Sequence, residues 1–127
     1  MRTNPLKFWG LAALFVVGLF CVSAVGQSVT GAISGIVTDT QGGALVGADV
    51  TATNTQTGIA IITKTNNSGV YTIPYLKLGT YNVDIKAPGM KEAVITGVLV
   101  DQNNISRVDR SLELGSVNEA ITVQASA

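Results

Sequence analysis

The chain of 127 residues contains no His, one Cys and one Trp, and only 16 charged side chains, eight of each sign. Without imidazole there is no His general base, no Ser-His-Asp triad and none of the commonest zinc sites. What aromatic character exists is unevenly spread. Phe8, Trp9, Phe15, Phe20 and the single Cys21 all fall in the first 21 residues, and only Tyr71, Tyr75 and Tyr81 follow. Two compositionally different segments are joined, and neither has the composition of an enzyme.

The first segment reads as a secretory leader. Arg2 and Lys7 give a positive start, Leu11 to Val22 is apolar, and Ser23, Ala24 and Gly26 supply small residues for cleavage after Ala24 or, preferably, Gly26. The apolar run is shorter than the roughly 20 residues of a spanning helix. Phe20 is too bulky for the position preceding a lipidated Cys21. The expectation is a signal peptide over 1–26 and one exported domain over 27–127, with no thiol left to form a disulfide.

Removal of 26 residues leaves 101, carrying six basic and eight acidic side chains. A weakly acidic domain has no basic stripe for a phosphate backbone, so nucleic acid is not an expected partner. About one residue in three is Val, Ile or Thr, types that are stiff at χ1 and fit a pleated surface. Apolar runs of five to nine residues are interrupted by Gln41-Gly42-Gly43, Asn54 to Gly58, Asn66 to Gly69 and Ala87-Pro88-Gly89. That spacing predicts an all-β sandwich of seven or eight strands. The strands are expected at Ile33–Thr38, Ala48–Thr53, Ile59–Thr65, Val70–Ile73, Tyr81–Lys86, Glu92–Val100, Val108–Leu114 and Val117–Val123. Alternation turns Ala48, Val50 and Ala52 to one face, and likewise Tyr81, Val83 and Ile85.

Chemistry is sparse. No Ser lies in a G-x-S-x-G elbow or an S-x-x-K arrangement. The carboxylates fall mostly on polar strand faces and read as solvated charge. Asp101 with Asn103 and Asn104 offers too few oxygens for calcium, so neither a metal nor any other cofactor is expected. Tyr71 and Tyr81 sit beside Ile73 and Val83 and are assigned to the core. Tyr75, after Pro74 at a strand end, is the aromatic expected to be exposed and the one candidate ligand contact.

Three ordered blocks carry a family likeness. Gly35 to Ala52 contains a strand, the polar turn Thr40-Gln41-Gly42-Gly43 and the small-residue entry Gly47-Ala48-Asp49-Val50. Thr65-Asn66-Asn67-Ser68-Gly69-Val70-Tyr71 is a T-x-x-x-G-x-Y turn, and Leu76 to Val83 forms an L-x-x-G-x-Y-x-V block. Together they resemble the carboxypeptidase regulatory-like domain over about Ile33 to Val123, with Met90 replacing the usual aromatic of the Ala87-Pro88-Gly89-Met90 corner. The resemblance implies a Greek-key sandwich of the prealbumin-like, carbohydrate-binding-like kind, with each Tyr after a turn glycine pointing inward.

A leader followed at once by such a domain is similar to the start of Oar-like TonB-dependent outer-membrane receptors. That context implies a non-catalytic accessory module in the periplasm or outer membrane of a Gram-negative bacterium, or secreted. Its partner would be another protein or the remainder of a longer receptor chain, and membrane association would come only through that parent. Alternative readings are a free-standing carbohydrate-binding module and an accessory domain of a metallopeptidase. Related hydroxyisourate hydrolases depend on His, and pilin-type isopeptide domains need a first-strand Lys; Ile33–Thr38 has neither.

Overall fold

The computed structural model describes residues 29–115 and 120–125. The expected leader and residues 116–119 lie outside the described residues. Among those described there is no helix, and nine strands form two sheets. They are β1 (Thr30–Asp39), β2 (Asp49–Asn54), β3 (Ala60–Lys64), β4 (Val70–Lys77), β5 (Gly79–Lys86), β6 (Glu92–Val100), β7 (Ile105–Arg107), β8 (Arg110–Leu112) and β9 (Ala120–Gln124). The smaller sheet runs β4-β1-β7, with β8 also on β1, and the larger runs β3-β2-β5-β6-β9. The all-β sandwich is as expected.

Strict alternation makes the core. On β1 the inward positions are Gly31, Ile33, Gly35 and Val37; on β2, Val50 and Ala52; on β5, Tyr81, Val83 and Ile85. Tyr71, Ile73, Leu76, Ile95, Val100 and Leu112 complete it. Each buried Val, Ile or Leu among them contributes about 1.5–3 kcal/mol by leaving water, and a domain without disulfides depends on that sum. Met90 is buried, so the corner tolerates methionine where the family likeness has an aromatic.

Side-chain oxygens tie the turns between strands. Asp39 Oδ1 accepts from the amides of Gln41 and Gly43, Asn54 Oδ1 from those of Gln56 and Thr57, and Asn66 Oδ1 from those of Ser68 and Val70. These are the Asx turns that Asn and Asp form readily. Thr65 is buried yet satisfied, donating to the Leu45 carbonyl and accepting from the Ala48 amide.

β1 and β5 begin earlier than expected, at Thr30 and Gly79, and two strands depart further. The single strand expected at Val108–Leu114 is split and starts earlier, as β7 and β8 on one parallel register along β1. Between them the Asp109 carboxylate accepts the Ile36 amide at 2.8 Å, replacing a ladder carbonyl. The strand expected to end at Ile73 continues to Lys77 through a bulge. The Gly31-x-x-x-Gly35 spacing places two glycines on the inward face of β1. A Cβ on Gly35 would lie 1.8 Å from the Val108 carbonyl oxygen, so only hydrogen fits where the chain crosses.

The sheets have unequal widths, and this positions everything that follows. The larger sheet is five strands wide against three in the smaller, and on its edge strand β3 Ile61, the partner of inward-facing Ala52, is left 39% exposed.

Candidate functional site at the Tyr75 edge

In the β1–β4 register Ile33 pairs with Ile73, but Gly31 pairs with Leu76, so Pro74 and Tyr75 together oppose Ala32. This is a bulge, and Pro74 fits it because β4 is an edge strand whose outer side needs no amide donor. Tyr75 takes φ 58° there, in the left-handed region that bulky residues rarely enter. Its side chain gains no burial in exchange: Tyr75 is 84% exposed. A strained and solvated aromatic on an edge bulge is costly to the fold and accessible to a ligand.

Two shallow grooves flank the ring. One, of about 150 Å³, is lined by Asn54, Thr57, Ile59, Ile61, Lys77 and Tyr81. Ile61 on the edge strand β3 and Ile59 just before it remain 39% and 55% exposed. Beneath them Tyr81 is buried, and its hydroxyl donates to the Lys77 carbonyl at 2.8 Å, fixing the floor. The other, about 270 Å³, runs past Ala32, Pro74, Asn103, Asn104 and exposed Ile105. Tyr75 is thus the ridge between two apolar-lipped grooves whose polar groups are amides, hydroxyls and one ammonium. The arrangement can hold a ligand by stacking and burial of aliphatic surface, and the edge of β3 beside it is open to an added strand.

The remaining tyrosines are where the alternation placed them. Tyr71 is buried, and its hydroxyl donates to the Val108 carbonyl at 2.6 Å. Burial, with the nearby charge of Asp109 second, pushes its ionisation well above the ordinary phenol range.

The carboxylates are not all solvated charge. Asp84 on β5 shares the outer face of the larger sheet with Glu92 on β6. Lys86 Nζ lies 3.8 Å from the one and 3.7 Å from the other. Asp84 Oδ1 is buried without a hydrogen-bond partner. Burial first, then the neighbouring Glu92 carboxylate, push the Asp84 carboxyl up to about 6, against the opposing pull of Lys86. The pair faces outward from β5 and β6, on the opposite side of the larger sheet from the core. Among the described residues no group of three His, Cys, Asp or Glu is arranged to hold a metal ion.

Sequence reasoning expected Tyr75 to be exposed, as it is, but did not single out the residues beside it. Ile59 and Ile61 read as ordinary strand residues, because nothing local reports that the facing sheet is narrower. Pro74 inside an apolar run was the available signal of an edge and a bulge.

The described residues thus form a two-sheet all-β sandwich with one exposed aromatic at the edge of the smaller sheet. The sequence profile of the carboxypeptidase regulatory-like domain matches residues 32–113, more than half of the chain, and the chain belongs to that family. No curated protein sequence matches it. Among solved structures it is similar to the Bacillus anthracis TIE protein, at 19% identity and TM-score 0.60 over 68% of this chain and 17% of that one. Hydroxyquinol 1,2-dioxygenase from Pseudomonas putida DLL-E4 aligns at 12% identity and TM-score 0.57, over 72% of this chain and 59% of that one. A putative carbohydrate binding protein from Bacteroides uniformis gives 20% and 0.51, over 64% and 40%. These likenesses are of fold, and the chain spans less than two thirds of the length of each of these proteins.

Proposed function

We propose that the chain is a non-catalytic, exported docking module, and that it serves as the N-terminal extension of a TonB-dependent outer-membrane receptor. The observation that carries the docking reading is Tyr75, held at φ 58° and 84% exposed beside the uncovered Ile59 and Ile61. A fold under selection for stability alone has no reason to keep an aromatic there. The chain has no imidazole, and its only thiol lies in the leader, which removes the commonest acid–base and nucleophilic groups.

The receptor context rests on family membership together with the leader-then-domain order. Under this reading the protein acts in the periplasm or at the outer membrane, with another protein or the rest of a longer receptor as its partner. Sequencing the locus beyond codon 127 tests it. Plug and barrel sequence in frame supports the context; its absence there and nearby contradicts it.

A second reading, a carbohydrate-binding module, is favoured by the same tyrosine. An exposed ring flanked by Asn54, Thr57 and Lys77 on one side and Asn103 and Asn104 on the other suits a sugar face with its hydroxyls. The named carbohydrate-binding neighbour of similar fold points the same way. A glycan array probed with the native chain and with Tyr75→Ala decides it. Binding by the native chain alone supports the module; no binding by either removes it.

A further inference from the structure

On the opposite side of the sandwich from Tyr75, the edge strand β9 of the larger sheet lies beside β8 of the smaller one. Lys91, Ala93, Arg110, Ser111, Leu112 and Glu113 line a cleft there of about 110 Å³, closed on its far side by Ile121 and Val123 of β9. Arg110 and Leu112 alternate on β8 with exposed Ser111, so Arg110 shares the inward side with buried Leu112. An arginine is an unusual choice for an inward position, because its charge cannot be shed by deprotonation.

Here the charge is also unanswered. Arg110 Nε is buried and has no hydrogen-bond partner, and among the described residues Arg110 makes no ion pair. Glu113, the nearest carboxylate in the lining, lies instead against Lys91 at 3.7 Å. Among the described residues no carboxylate answers Arg110, on a domain whose basic side chains are outnumbered. A buried donor left unmade in a native fold calls for an acceptor brought from outside.

We infer that the Arg110 cleft is a binding site for an aliphatic carboxylate. The Nε edge of a guanidinium offers two parallel N–H groups in the fork that a carboxylate accepts bidentately. The walls next to it are the hydrocarbon side chains of Ala93, Leu112, Ile121 and Val123. These walls match a short branched alkyl group better than the additional charged oxygens of a phosphate. The cleft volume suits a fragment of isobutyrate size. The same chemistry is presented by a free short-chain acid and by the terminal carboxylate of a peptide ending in a small apolar residue.

Titration of the purified 127-residue chain, followed by 1H–15N NMR at the Arg110 Nε–Hε and at the Ser111 and Leu112 amides, tests the assignment. Isobutyrate is expected to move these signals saturably, whereas isobutyramide leaves them in place. Acetyl-Ala-Val with a free carboxyl terminus, compared with its amide, separates the sources. Tighter binding than isobutyrate identifies a peptide terminus, and equal or weaker binding identifies a free acid. Arg110→Lys, which loses the fork, is expected to weaken binding about tenfold, and Arg110→Met to abolish it. The inference is overturned if isobutyrate and isobutyramide act alike, if isobutyrate moves nothing, or if folded Arg110→Met binds as the native chain does. Should Arg110→Met not fold, the acid–amide comparison on the native chain decides alone.

Discussion

The Tyr71 hydroxyl donates to the Val108 carbonyl at 2.6 Å, directly over the bare backbone of Gly35, where a Cβ would stand 3.0 Å from the hydroxyl and 1.8 Å from the carbonyl oxygen. This contact closes the smaller sheet at the point where β7 passes into β8. Tyr71→Phe leaves a core carbonyl without its donor and is expected to cost about 1–2 kcal/mol, a fall of roughly 4–15 °C in Tm for a domain of this size. Gly35→Ala forces backbone apart and is expected to cost about 3 kcal/mol or more. Thermal denaturation followed by circular dichroism measures both. Equal, small losses for the two would show that the crossing is not as tight as the distances require.

Asp109 stands in for a ladder carbonyl at the same crossing. Burial tends to raise its pKa, but the hydrogen bonds from Arg107 at 2.8 Å and from the Ile36 amide, with the Arg107 charge, outweigh it and hold the carboxyl below its usual range. A folded pKa below the unfolded one contributes stability above the unfolded value, near 4, and that contribution is lost as pH falls through the folded value. The side chain is half exposed, so the expected contribution is modest, about 0.5–1 kcal/mol. Asp109→Ala should destabilise the protein at pH 7 and much less at pH 2.5. Asp109→Asn, which keeps an acceptor for Ile36, should recover part of the loss. Urea unfolding at the two pH values is the check.

Asp84 carries the opposite sign. Its folded pKa of about 6 lies above the ordinary value of 3.8, so its contribution is most favourable below pH 3.8 and is lost as pH rises through 6. Asp84→Asn removes the repulsion from Glu92 and is expected to stabilise the protein at pH 8 by about 1 kcal/mol after allowance for solvent screening, with no gain at pH 3.5. Loss of stability at pH 8 would mean that Lys86, 3.8 Å from Asp84 and 3.7 Å from Glu92, dominates the cluster.

How far the sequence foretold this molecule depends on whether the cause was local. Alternation located Val50, Ala52, Val83 and Ile85 in the core, and Asn66 before Gly69 located a turn, because strand pleat and Asx geometry act within a few residues. Tyr75 was legible as exposed from Pro74 beside it. The exposure of Ile59 and Ile61 was not, since it follows from the width of a facing sheet assembled from β1, β4, β7 and β8. The break at Val108 and Asp109 was equally hidden. It depends on Gly35, 73 residues before Val108, leaving room for the crossing. Asp84 sat in a polar alternation and read as solvated, whereas its neighbour Glu92 comes from the next strand.

The central claim is that Tyr75 is kept for what it contacts and at a cost to the fold. Tyr75→Gly tests this most directly, because glycine adopts φ 58° freely and the ring it removes is 84% exposed. Release of left-handed strain is expected to raise stability by up to about 1 kcal/mol, partly offset by the added freedom of the unfolded chain. Chemical denaturation of Tyr75→Gly, run beside a binding assay for the partner receptor segment or glycan, should return equal or greater stability with binding lost. A variant less stable by more than about 1 kcal/mol that binds as the native protein does would assign the tyrosine to the fold and contradict the account.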